Sequence, residues 1–93
     1  MDSASVFSLE VHYSGHIQHI GFRQALLEAA RGFEVRGRVE NLDDGRVRLL
    51  AQGPRREVEA FAAEIEHRMK PFIRQAEHRR PAAPPTLVGF TLA

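Results

Sequence analysis

Apolar and polar residues alternate at the start of the chain: Phe7, Leu9, Val11 and Tyr13 are interleaved with Ser8, Glu10 and His12. Period two with aromatic and β-branched residues predicts a half-buried strand, ended by Gly15. The period then lengthens. Phe22, Leu26, Ala30 and Phe33 recur at helical spacing, supported by Ala25 and Ala29. This predicts a helix over 21–31, with Gly32 as its stop in a left-handed conformation. Alternation returns at Val35, Gly37 and Val39, and again at Val47, Leu49 and Ala51, on either side of "NLDDG" (Asn41–Gly45). Asp-Gly between two alternating runs is a hairpin signal. Pro54 suits a first helical position, where its missing N–H is no loss. Val58, Phe61, Ala62, Ile65 and Met69 then form the apolar stripe of a second helix, which Pro71 stops. Residues 72–79 alternate poorly, with Ile73 and Ala76 as anchors, and read as a weak strand. "PAAPP" (Pro81–Pro85) is a stiff loop, and Val88, Phe90 and Leu92 predict a short last strand.

The order is strand, helix, strand, strand, helix, strand, with a short fifth strand. Two crossovers through helices put both helices on one face of an antiparallel sheet. The predicted class is α+β, the ferredoxin-like split β-α-β sandwich. A chain of 93 residues fits a single domain, 1–93.

Composition narrows the chemistry. There is no cysteine, which excludes disulfides, thiolate zinc sites and cysteine nucleophiles. Thirteen basic residues against twelve acidic ones leave a net charge of +1, no global argument for nucleic acid or membrane. The arginines are interleaved with acids, as on a solvated surface. The strand "RVRLLAQ" lacks the aromatics on which RNA-binding sheets stack bases. No apolar run approaches the roughly 20 residues of a membrane span, and residues 1–5 lack the pattern of a signal peptide. A cytoplasmic monomer is expected. His12, His16 and His19 are too thin a set for a metal centre, so no metal and no cofactor is expected.

Two segments carry candidate chemistry. "GHIQHIGFR" (Gly15–Arg23) joins a strand end to a helix start. The first N–H groups of a helix lack intrahelical partners and carry partial positive charge, so a glycine-bracketed loop there can hold a phosphate. Arg23 falls in the first turn and can add a bidentate contact. The same residues also fit a plain turn. In "RGRVENLDDG", Asn41 ends the second strand. It fits a turn residue bonding its own backbone, or an amide positioning a water or substrate oxygen.

Taken together, these segments resemble the acylphosphatase family, whose loop has the form G-x-V-Q-G-V-x-F-R, followed by G-W-V-x-N and a D-G hairpin. Gly15, Gln18, Gly21, Phe22 and Arg23 match the loop, with Ile17 and Ile20 in place of valine. Gly37, Val39, Asn41, Asp44 and Gly45 match the second stretch. "QGPRREVEAF" and the terminal "GFTL" resemble the family's second helix start and last strand. The resemblance is weakest over 67–85.

It implies a metal-free hydrolase of acyl phosphates, with a small-molecule acyl phosphate as its partner. The phosphoryl group would be held by the loop backbone of Gly15, His16, Ile17, Gln18, His19, Ile20 and Gly21 and by Arg23. Asn41 would orient the water. Modules of this kind also occur fused to carbamoyl-phosphate-using maturation enzymes, which makes carbamoyl phosphate a candidate substrate. Two positions depart from the pattern. Arg38 replaces a tryptophan, a surface or packing change. His19 replaces the middle glycine of the loop. Three consequences are open: the loop adapts, the cradle is distorted into a weakened or inactive module that binds phosphate ligands or a protein partner, or the imidazole contacts substrate.

Overall fold

A computed structural model describes residues 6–18 and 20–93. Strand β1 (Phe7–Gly15) is an interior strand of a five-stranded sheet, antiparallel to β3 (Val47–Gly53) on one side and to β4 (Ile73–Arg79) on the other. β2 (Arg36–Asn41) pairs antiparallel with β3, and the short β5 (Phe90–Leu92) joins β2 in parallel. The order is β4-β1-β3-β2-β5. The sheet is therefore mixed, with the expected antiparallel four strands plus one parallel edge.

Helices α1 (Phe22–Ala30) and α2 (Arg55–Arg68) cover one face. The period-two pattern explains which one. Leu9, Val11 and Tyr13 of β1 and Val47, Leu49 and Ala51 of β3 are buried, facing Phe22, Leu26, Phe61 and Ile65 of the helices. At about 25 cal/mol per Å² of apolar surface, each buried Val, Leu, Ile or Phe of this set contributes roughly 1.5–3 kcal/mol. Tyr13 packs edge-on against Phe22, with ring centroids 5.1 Å apart. Burial, and then the charge of Glu66, raise its phenol pKa, so it stays neutral.

Several boundaries differ from the sequence expectation. α1 ends at Ala30, and Gly32 is not left-handed. Three successive N–H groups, of Arg31, Gly32 and Phe33, instead reach carbonyls three residues back, tightening the last turn. Pro54 stands at the N-cap of α2, one residue before the helix. β4 alternates poorly because the register slips between Ser14 and Gly15, which face Gln75 and Ile73. The extra residue, Arg74, lets Ile73 and Ala76 both reach the core despite their odd spacing. Val88 is 85% exposed, because β5 begins only at Phe90.

Arg38 is exposed on β2, on the sheet face away from the helices. His19 and residues 1–5 lie outside the described residues. Among the described residues no helix is long and apolar enough to cross a membrane.

Candidate active site at the first strand–helix junction

The sheet register brings the two candidate segments together. Tyr13 of β1 and Asn41 of β2 both pair with Val47, the first residue of β3. The end of β1 and the end of β2 therefore lie at one edge of the sheet, separated by a single strand. The loop after Gly15 and the hairpin after Asn41 emerge side by side.

Gln18 joins them. Its Nε2 donates to the carbonyls of Leu42 (3.2 Å) and Arg46 (3.1 Å) across the hairpin base. Those residues also bond each other, Leu42 N–H to Arg46 O at 2.7 Å. The turn is closed by Gly45 N–H to Leu42 O, and by Asp44, whose carboxylate accepts from the Arg46 N–H (3.1 Å) and Nε (2.8 Å). The Arg46 backbone N–H is the main cause holding the Asp44 carboxyl below its ordinary value. This turn is therefore strongest when Asp44 is ionised and weakens as pH falls through its range.

α1 starts at Phe22, with Gly21 as a left-handed N-cap (φ 80°) that no side chain caps. Only glycine adopts that backbone without a Cβ clash. Ala25 N–H closes the first turn on Gly21 O. Among the described residues, no carbonyl accepts from the amides of Ile17, Gln18, Ile20 or Gly21. No acidic residue sits in the first turn. Arg23 is half-buried there, and its Nη1 donates to the main-chain oxygen of Ala93 at 2.7 Å.

Between these parts lies a cavity of about 210 Å³, lined by Ile17, Gln18 and Gly21 of the loop, Phe22, Arg23 and Gln24 of α1, Asn41 of β2 and Leu92 of β5. None of the lining residues is acidic. Helix amino end and guanidinium make the cavity electropositive, suited to an anion.

Other expected residues sit elsewhere. Gly15 and His16 border a separate cavity with Phe72, Ile73 and Arg74. The His16 amide donates to Phe72 O at 2.9 Å, so it is spent on the β4 side. Ile20 is half-buried against the core. Gln24 and Leu92 line the cavity without having been singled out. The helical period could have placed Gln24 one residue past Arg23, but only the parallel pairing of β5 brings Leu92 there. Among the described residues no three His, Asp or Glu side chains are grouped to hold a metal.

A family model described as Acylphosphatase matches residues 9–91. The chain belongs to the acylphosphatase family. The acylphosphatase of Syntrophotalea carbinolica is 38% identical over 58 residues, which cover 62% of this chain and 63% of that one. The acylphosphatase of Oceanobacillus iheyensis is 38% identical over 66 residues, 71% of this chain and 72% of that one. With the first of these relatives the match thus spans under two thirds of either protein. The acylphosphatase fold itself extends further. The crystal structure of acylphosphatase from Bacillus subtilis superposes with a TM-score of 0.81 at 21% identity, over 96% of this chain and 99% of that one. Full-length HypF in its phosphate- and nucleotide-bound form superposes with a TM-score of 0.80 at 20% identity, over 96% of this chain but 12% of that one.

Proposed function

We propose that this protein hydrolyses the carboxyl–phosphate bond of small acyl phosphates. The carrying observation is that the loop, Arg23 and Asn41 border one electropositive cavity without a carboxylate. In this reading the phosphoryl oxygens lie against the amides of Ile17, Gln18 and Gly21 and the guanidinium of Arg23. Asn41 orients a water for in-line attack on phosphorus. The bond from phosphorus to the acyl oxygen breaks, the carboxylate leaves with the electron pair, and the water's proton passes to solvent. A carboxylate is a good leaving group and needs no general acid. Positioning and charge stabilisation can supply most of the rate.

The test is turnover of benzoyl phosphate with chelator present. Wild type is expected to be active, and Asn41→Ala to lose roughly 10²–10³ in kcat, as for removal of one transition-state hydrogen-bond partner. Full activity in Asn41→Ala would remove that residue from the mechanism.

The histidine at position 19, where the family loop has glycine, favours a second reading: a weakened or inactive module that still binds phosphate. His19→Gly beside wild type separates the two. A sharp rise in turnover assigns the defect to this side chain. A fall makes the imidazole part of the working site.

A further inference from the structure

The sheet face away from the helices carries a chain of polar contacts that the proposed reaction does not use directly. Glu10 and His12 alternate there along β1, with side chains only 15% and 11% exposed. His12 Nε2 lies 2.5 Å from Glu10 Oε2, and His12 Nδ1 lies 3.2 Å from Arg46 Nη1. The two contacts fix the tautomer. A carboxylate only accepts, so Nε2 carries the proton. A guanidinium only donates, so Nδ1 offers its lone pair. Arg48 of β3 and Glu77 of β4 stand opposite His12 in register. Arg48 is occupied by Glu40 at 2.6 Å. His12 therefore connects Glu10 to Arg46 and to no other group in this row.

Arg46 is the residue through which this row reaches the cavity. Its side chain is held between Asp44 and His12, while its carbonyl accepts from Gln18. Asn41 lies just beyond Leu42, the other carbonyl that Gln18 holds.

We propose that His12, oriented by Glu10, is a positioning residue: it fixes the Arg46 end of the hairpin and, through Gln18, the loop that borders the cavity. It touches no substrate. The inference rests on the reading of that cavity as a phosphate site.

The experiment uses the full chain and inorganic phosphate as probe. Wild type, His12→Leu, His12→Asn, Arg46→Leu and the His12→Leu/Arg46→Leu double variant are compared. Phosphate affinity is read from thermal protection, and the Gln18 side-chain amide from its proton–nitrogen NMR resonance. Asparagine keeps an acceptor where Nδ1 stands; leucine does not. His12→Leu and Arg46→Leu are each expected to weaken phosphate binding about three- to tenfold, the worth of one hydrogen bond, and to shift the Gln18 resonance. The double variant should be no worse than the poorer single, because both act through one contact. His12→Asn should stay close to wild type in both readouts. An unmoved Gln18 resonance in folded His12→Leu or Arg46→Leu would overturn the proposal. So would additive losses, or an asparagine variant as poor as leucine. If wild type neither turns over benzoyl phosphate nor binds phosphate, the proposed function fails, and the Gln18 resonance alone still decides the role of His12.

Discussion

The fold contains two strand-to-helix junctions, and they are built differently. β1 enters α1 at one end of the sheet; β3 enters α2 at the other, since Phe7 pairs with Gly53. Both begin with a glycine pressed against a neighbouring main chain. A Cβ on Gly15 (φ +138°) would lie 2.4 Å from Phe72 O, and one on Gly53 (φ +154°) 2.4 Å from Glu34 O. There the likeness ends. At the second junction Pro54 alone separates strand from helix, and Glu57 in the first turn answers the positive helix end. The Glu57 carboxylate also accepts from the Glu34 N–H at 2.8 Å. At the first junction residues 16–21 intervene and no acid follows Arg23 in the first turn, whereas the arginines that open α2, Arg55 and Arg56, are followed at once by Glu57, and Arg55 pairs with Glu59 at 3.0 Å. A cation at a helix amino end is unfavourable by itself. The shared glycines thus belong to the architecture, and what sets the first junction apart is its longer loop and the absence of an acid in its first helical turn.

The largest effect expected from this contrast is on rate. Arg23→Ala should lower kcat/KM for benzoyl phosphate by roughly 10³–10⁵, as for other arginines that stabilise a transferring phosphoryl group. Its thermal midpoint should change little, since removing a cation from a positive helix end offsets the lost bond to the Ala93 main-chain oxygen. Wild-type-like turnover in Arg23→Ala would remove the asymmetry's functional meaning. The next effect is on stability and tests what the junctions share. Gly15→Ala and Gly53→Ala should each cost about 2–4 kcal/mol in urea unfolding, through the clash and the left-sided backbone. Only the Gly15 variant should also lose phosphate binding at temperatures where both remain folded.

Much of this contrast could be read from the chain. Period two at Phe7–Tyr13 and the stripe Val58–Met69 placed the core, because burial on one face imposes those periods. The loop, Arg23 and Asn41 were legible as residue types at strand and helix ends. Three things were not. The role of Gln18 depends on carbonyls 24 and 28 residues away, which no local period encodes. The His16 amide is spent on Phe72, a consequence of how the α2–β4 turn approaches β1. The bulge at Arg74 hid the periodicity of β4 by adding one residue to it. Each depends on main-chain groups far away in the sequence, to which apolar patterning is blind. The tie made by Gln18 sharpens the comparison: it spans loop to hairpin, whereas at the second junction Glu57 accepts from the Glu34 N–H and Gln52 donates to the Pro85 carbonyl. Gln18→Leu should raise KM for benzoyl phosphate about tenfold, two hydrogen bonds being lost at a partly buried site, with a smaller change in kcat. A pure kcat effect would instead make the glutamine a participant in the chemistry.

The smallest effect belongs to the second junction. Glu57→Gln removes the charge that answers the α2 dipole but keeps an oxygen for the Glu34 N–H. It should cost about 0.3–1 kcal/mol in urea unfolding at low salt, less at high salt, and leave turnover unchanged. The salt dependence is the diagnostic part, since loss of packing or of the hydrogen bond would not be screened. If Glu57→Gln proves neutral at low salt, the α2 dipole needs no answer in this fold. The missing acid at the start of α1 would then say nothing about a ligand, and the case for an anion there would stand on Arg23 and the loop amides alone.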